Sequence, residues 1–339
     1  MLRSLILKAI DIFGINWLIS YLYRNHIVIF MLHGVVPPHA SKVNPAWTRH
    51  TQDEVETILR AYRRRYNFIS MTDAVEMING AKPWKKYCMV ITIDDGYRNS
   101  LEVAYPIFEK HNVPMTIYVT ANNIEKQQMF WVDKIDCSLH ATSGPVFDLN
   151  LSKVKFKIDK TDNGNLTKNF NSCLALIKQS YSNDYDLLQD IDKYAESALS
   201  APQALSNDEL MSDTSFALIT ADELAKVPEE VTIGSHMMNH VRCTHIASGD
   251  LENELKESKA WIETHTGSPC EHFCYPNGDY DSSIAHTVCD TGYLSAVTTK
   301  ERSNKKGDDT FTLHRFPFPH ARSIHEANYR LSYNLMNQS

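Results

Sequence analysis

Cys88-Met89-Val90-Ile91-Thr92-Ile93-Asp94-Asp95-Gly96 is an apolar, β-rich run that stops abruptly at two carboxylates and a glycine. Uncharged residues throughout fit a strand buried on both faces. Two adjacent carboxylates after such a strand are costly unless something charged compensates them. At a strand end their side chains leave in different directions, so one can ligate a cation while the other contacts water. Gly96 frees the backbone to turn there. Capping the next helix, expected from Ser100 to Lys110, would need only one of them.

The same pattern repeats outward from this stretch. Apolar runs at Ile27–Leu32, Met115–Val119, 231–233, 273–275, 293–297 and 311–313 alternate with amphipathic segments. Thr51 with Glu54 and Thr220 with Glu223 have the spacing of capping boxes, which mark helix starts. Alternation of strand and helix predicts an α/β fold on a parallel sheet, and seven strands suggest a barrel-like closure. His33, Asp94, Asp95, His236 and Asn277 each fall just past the C-terminal end of an apolar run, the edge where such folds bind ligands. Residues 125–218 break the rhythm with Asn, Asp, Lys and Ser, and are expected to form an insertion with helical parts.

Composition narrows the function. The 339 residues carry a net charge of -7 and no long basic run, which excludes a nucleic-acid partner. Seven scattered cysteines without a C-x-x-C pair give no zinc ribbon and no disulfide framework, so a reducing compartment, the cytoplasm, is expected. Residues 1–26 predict an amphipathic helix, with Leu2, Leu5, Ile6, Ala9, Ile10, Phe13, Trp17 and Leu18 at helical spacing. It either packs on the protein's own core or lies on the inner face of a membrane, with Trp17, Tyr21 and Tyr23 at headgroup level and Arg3, Lys8 and Arg24 towards phosphates.

His236 and His240 stand at i and i+4 in Ser235-His236-Met237-Met238-Asn239-His240, a spacing that on a helical turn brings two imidazoles to one cation. Joined to one carboxylate of the acidic pair, they have the layout of a hydrolytic metal centre with an open position. Two imidazoles and a carboxylate suit Zn²⁺, with Co²⁺, Ni²⁺ or Mn²⁺ as alternatives. A paired-metal phosphatase or nuclease would need more carboxylates.

With these residues assembled, the sequence resembles the polysaccharide deacetylases of the NodB-homology type, carbohydrate esterase family 4. Thr92-Ile93-Asp94-Asp95-Gly96 resembles the family's T-F-D-D-G motif, which implies Asp94 as general base and Asp95 as metal ligand. Ser235 to His240 matches the motif that supplies two histidine ligands. Phe273-Cys274-Tyr275-Pro276-Asn277-Gly278 resembles the third motif, which lines the groove and implies the Asn277 backbone N–H as oxyanion donor. The resemblance implies an irregular (β/α)7 barrel, here with a helical and polar insertion.

Two departures stand out. Many members carry an arginine that orients the catalytic aspartate where this chain has Cys274; Arg315 either reaches back to replace it or is an ordinary surface arginine. The general acid, placed late in many members, is assigned to His33 because Phe30-Met31-Leu32-His33-Gly34 resembles the early Leu-x-Tyr-His segment of one branch; His314 is the alternate. Trp131-Val132-Asp133 resembles a Trp-x-Asp near the groove. Tyr97, Trp131, Asp133, Tyr275, Pro276, Asn277 and Arg315 are thus the expected substrate-binding residues. The implied activity is removal of an N-acetyl group from an amino sugar in a cell-envelope or exopolysaccharide pathway. A deformylase of a lipid-linked amino sugar and an inactive glycan-binding protein are the alternatives.

Overall fold

The computed structural model describes residues 2–36, 49–142, 144–162, 164–199 and 215–338. Its strands are β1 (Ile27–Leu32), β2 (Val35–Val36), β3 (His50–Thr51), β4 (Asn67–Phe68), β5 (Cys88–Ile93) and β6 (Met115–Val119). They continue with β7 (Val146–Asn150), β8 (Lys155–Asp159), β9 (Val231–Ser235), β10 (His272–Cys274), β11 (Ser295–Val297) and β12 (Phe316–Pro317). The main sheet runs β11-β10-β9-β6-β5-β1-β12, with β4 also on β5, and every pairing is parallel. This is the irregular (β/α)7 barrel.

Period-two alternation explains why these strands carry no polar face. Ile27, Ile29, Cys88 and Val90 belong to one buried cluster, together with Met71 to Ile78 of the helix Met71–Asn79. The alternating residues Val28, Phe30, Leu32, Met89, Ile91 and Ile93 belong to the larger cluster under the outer helices. Each such side chain contributes about 1.5–3 kcal/mol on burial, so both faces select apolar residues. Both capping boxes form, at the helices Gln52–Tyr62 and Ala221–Leu224.

Closure differs from the sequence expectation. Residues 311–313 are not a strand; Leu313 makes only an isolated parallel bridge to Val297, and the strand on β1 is Phe316–Pro317. The apolar alternation of Phe311 and Leu313 mimics a strand, but the segment is passing from β11 to β1. Its hydrogen bonds go first to Ala296 and Lys300 (Leu313 N–H to Ala296 O, 3.0 Å; Arg315 N–H to Lys300 O, 3.1 Å). Phe318 N–H then reaches Met31 O at 2.9 Å. Arg315 is thereby carried into the barrel.

The insertion has its own apolar cluster, in which Trp131 and Ile135 of the helix Trp131–Ala141 meet Phe147, Ile158, Phe170 and Ile177. β7 and β8 form an antiparallel hairpin that the charged sequence gave no sign of. The helices Leu166–Ser180 and Asp184–Leu199 follow. A buried ion pair, Arg242 Nη2 to Asp184 Oδ1 at 2.6 Å, ties the insertion to the barrel.

The N-terminal segment is not one helix. Gly14, at φ 75°, separates Leu2–Ile12 from Ile15–Leu22, and the two are bent by 57°. Asp11 anchors the pair to the C-terminal helix Ile324–Met336, accepting from or facing His325 Nδ1 at 2.7 Å and Asn328 Nδ2 at 3.1 Å. Among the described residues no single helix is long and apolar enough to cross a membrane.

Candidate active site

A cavity of ≈ 240 Å³ lies over the C-terminal strand ends, lined by His33 after β1, Asp94 and Asp95 after β5, His236 and His240 after β9, and Tyr275 and Asn277 after β10. The backbone there is bent far from regular structure. Asp95 (φ 77°), Met237 (φ 70°), His240 (φ 54°) and Asn277 (φ 58°) are all left-handed. Non-glycine residues adopt that region at a cost of roughly 1–3 kcal/mol each, and such strain gathers at functional sites. Gly96 continues the turn at φ 84°, where an added Cβ would lie 3.1 Å from Val119 and 3.2 Å from Ile124.

Asp94 is buried and gripped on both oxygens. Arg315 donates from Nη1 to Oδ1 at 2.7 Å and from Nη2 to Oδ2 at 2.8 Å. The guanidinium is itself fixed by Thr92 Oγ1 (2.9 Å) and Thr298 O (2.9 Å). Cys274 Sγ accepts from Arg315 Nη2 at 3.2 Å and donates to Asp94 Oδ2 at 3.6 Å. Burial alone would raise the Asp94 carboxyl, but the charge and hydrogen bonds of Arg315 outweigh it and hold it below the usual 3.8.

Asp95 faces two imidazoles. Its Oδ1 lies 3.5 Å from His236 Nε2 and 3.5 Å from His240 Nε2. His236 Nδ1 is 2.8 Å from Cys274 O, a carbonyl that can only accept, so Nδ1 carries the hydrogen. Burial, reinforced by His240, pushes the His236 pKa down to about 4, so the ring is neutral and Nε2 presents a lone pair. A lone pair aimed at a carboxylate oxygen is repulsive unless a cation lies between them. Asp95, His236 and His240 thus fit a divalent metal, and their ligating atoms all lie within 4.8 Å of one another.

The two histidines reach this arrangement from a loop, not from a helical turn. After β9, Met237 and His240 turn the chain back through left-handed conformations. Buried Glu254, from the helix Ser248–Thr266, holds the loop by accepting Met238 N–H (2.9 Å), Asn239 N–H (3.1 Å) and Asn239 Nδ2 (2.6 Å). The i,i+4 spacing reads as helix, but here it is the curl of an anchored loop that converges the rings.

The polysaccharide deacetylase family model matches residues 81–144 and 171–296, more than half of the chain, and this span contains Asp94, Asp95, His236 and His240. The chain belongs to the polysaccharide deacetylase family. Solved structures with the same fold include the Streptococcus pyogenes deacetylase PplD in complex with acetate (15% identity, 91% of this chain and 97% of that one, TM-score 0.58). IcaB from Ammonifex degensii (12% identity, 91% and 96%, TM-score 0.57) is another. A de-N-acetylase from Aggregatibacter actinomycetemcomitans (14% identity, 86% and 94%, TM-score 0.51) is a third. None of the curated proteins matches the sequence significantly.

Within this deacetylase fold the remaining expected residues separate. His33, Tyr97, Trp131, Tyr275 and Asn277 line the cavity. Arg315 does not; it is wholly buried against Asp94, so it touches the carboxylate and not the groove. Asp133 also lies behind the wall, where its Oδ2 accepts the Tyr97 hydroxyl at 2.7 Å. Burial pushes the Asp133 carboxyl up to about 6, with the Arg49 charge and the Tyr97 hydrogen bond opposing. Pro276 is buried next to the lining residues and does not join them. His314 is not among them either; Asn304 holds its backbone, through Nδ2 to His314 O at 2.9 Å and Oδ1 from His314 N–H at 2.9 Å. Arg49, Phe130 and Lys178 line the cavity without having been singled out from the sequence.

Proposed function

We propose that the chain hydrolyses the N-acetyl group of an amino-sugar residue in a glycan, using a divalent cation held by Asp95, His236 and His240. The observation that carries this reading is the Arg315-gripped Asp94 beside the cation-fitting trio, in one cavity with His33. Zinc suits two imidazoles and a carboxylate best. When bound, such a cation polarises a carbonyl and acidifies water.

The chain's own residues supply the proton transfers. Asp94, kept ionised by Arg315, accepts a proton from the attacking water as its oxygen adds to the acetyl carbon. The Asn277 backbone N–H donates to the oxygen that gains charge. His33 then gives a proton to the amine nitrogen as the C–N bond breaks, releasing acetate and a free amino sugar. An inactive glycan-binding protein would need neither the forked Asp94 nor the convergent trio. The test is acetate release by metal-loaded protein from N-acetylglucosamine oligomers.

We further propose that the N-terminal helix pair rests on an anionic membrane surface at the cytoplasmic face, in a pathway that builds envelope or exopolysaccharide. Ile12, Phe13, Ile15, Trp17, Leu18 and Leu22 are all at least 47% exposed, a patch that water alone does not favour. Asp11, the acidic residue of residues 1–26, is turned inward to His325 and Asn328. Arg3, Lys8 and Arg24 are left as the segment's charges in a chain of net charge -7, which complements acidic headgroups. The unpaired state of all the cysteines fits a reducing compartment. A lipid-linked sugar, N-acetylated or N-formylated, is the substrate such a location would favour.

A further inference from the structure

Buried cations in this protein are generally matched by carboxylates: Arg315 by Asp94 and Arg242 by Asp184. Two part-buried cations in the cavity wall have no such match. Arg49 lies with its guanidinium carbon 4.0 Å above the Tyr97 ring, and its Nε and Nη1 are buried without a hydrogen-bond partner. Lys178 Nζ donates to the neutral Asn277 Oδ1 at 2.8 Å. Among the described residues neither cation has a carboxylate within ion-pair reach; for the two buried nitrogens of Arg49 that is costly, while Lys178 is only half-buried.

Most of the nearby negative charge is already engaged. Asp94 is neutralised by Arg315, and Asp95 faces the two imidazoles. Asp133 gives Oδ2 to Tyr97 and leaves Oδ1 unpartnered; it acts on Arg49, and Asp279 on Lys178, only from beyond ion-pair distance. Once a divalent cation is added, the cavity carries net positive charge within a chain of net charge -7. Lys178 is also held in place: Arg242, locked to Asp184, donates through Nη1 to Lys178 O at 2.9 Å. The insertion is thus built to present an ammonium at the catalytic mouth.

We infer that the substrate is an acidic glycan, whose carboxylate or phosphate lies beside the N-acetylated sugar and is met by Arg49 and Lys178. This rests on the deacetylase reading of the same cavity and names its substrate class. The anion replaces the Asn277 amide oxygen as partner of Lys178 and completes the unpaired face of Arg49. A guanidinium stacked on an aromatic ring is pre-organised for a planar carboxylate or a phosphate.

The test uses the full-length, metal-loaded chain and three acetylated substrates. These are a neutral N-acetylglucosamine oligomer, an oligomer alternating N-acetylglucosamine with glucuronate, and N-acetylglucosamine 1-phosphate. At least one acidic substrate should show a kcat/KM about 10- to 100-fold above the neutral one, the value of a charge-assisted contact. Arg49→Met and Lys178→Met should each collapse that ratio towards one; which acid is preferred tells carboxylate from phosphate. Calorimetry with glucuronate, glucose 1-phosphate and methyl glucoside, none of which carries an acetyl group, reads the same preference without turnover. Equal kcat/KM for neutral and acidic substrates, or anion binding unchanged in both variants, overturns the inference. If no substrate releases acetate, the deacetylase reading fails and calorimetry still decides the anion site.

Discussion

Arg315 and Asp94 form a fork, with Nη1 2.7 Å from Oδ1 and Nη2 2.8 Å from Oδ2, across 221 residues of sequence and with both side chains buried. The arginine that grips the carboxylate comes from the closing segment before β12, and Cys274 Sγ accepts a further hydrogen bond from it.

Removing Arg315 strands a buried carboxylate. Arg315→Met is expected to cost about 3–5 kcal/mol of stability, the usual penalty for breaking one side of a buried pair. Arg315→Lys should not restore turnover, because an ammonium cannot engage both oxygens. Urea unfolding alongside acetate release checks both; a stable, active Arg315→Lys protein would show that the fork is dispensable.

His33, not His314, is expected to protonate the leaving amine. It lines the cavity with Asp94 and Asp95, while His314 does not. His33→Ala should lose about 10²–10⁴-fold on an amide, the usual contribution of a positioned acid. It should recover much of its rate on an activated ester, whose leaving group needs no proton. His314→Ala should behave nearly as the parent; an inactive His314→Ala beside an active His33→Ala reverses the assignment.

His272 gives a pH dependence of stability. It is fully buried between Thr72 Oγ1 (3.0 Å) and Ser295 Oγ (2.9 Å), and burial, with Lys259 adding, pushes its pKa down from 6.5 to about 4. The folded state therefore favours the neutral ring. Its contribution, roughly 2–4 kcal/mol, is complete above the unfolded-state value and is lost as pH falls towards the folded one. The stability advantage of the parent over His272→Gln should narrow between pH 7 and pH 4.5 (roughly the window set by the two pKa values). A gap that stays constant over that range would contradict the assignment.

The exposed N-terminal face predicts sedimentation with vesicles that contain acidic phospholipid, weakened by salt and by Phe13→Glu with Trp17→Glu. Both side chains are more than half exposed, at 81% and 53%, so the substitutions should leave folding intact. Full-length protein that stays in the supernatant at low salt with acidic vesicles refutes membrane docking.

Much of the barrel was legible because buried parallel strands are uninterrupted apolar runs, and Cys88–Ile93 with Asp94 and Asp95 is an unusually clear one. The histidine pair was legible as a pair, yet its geometry was not, since left-handed Met237 and His240 leave no periodic signature. Asp133 does not line the cavity for a simple reason: it lies two positions beyond Trp131 on a helix, about 200° around the axis, so it turns away from the cavity that Trp131 lines. Arg49 and Lys178 were invisible because one sits outside any long element and the other lies in the insertion. Neither has local context that distinguishes it from a surface cation.

Acetate release from an N-acetylglucosamine oligomer, measured with metal content on the same samples, separates the roles of Asp94 and Asp95. The parent protein should bind one divalent cation and release acetate. Asp94→Asn should keep the cation and lose turnover, because an amide cannot accept the proton. Asp95→Asn should lose the cation as well. Acetate release that persists in Asp94→Asn, or metal retained at full stoichiometry by Asp95→Asn, would contradict the division of labour between these two neighbouring carboxylates.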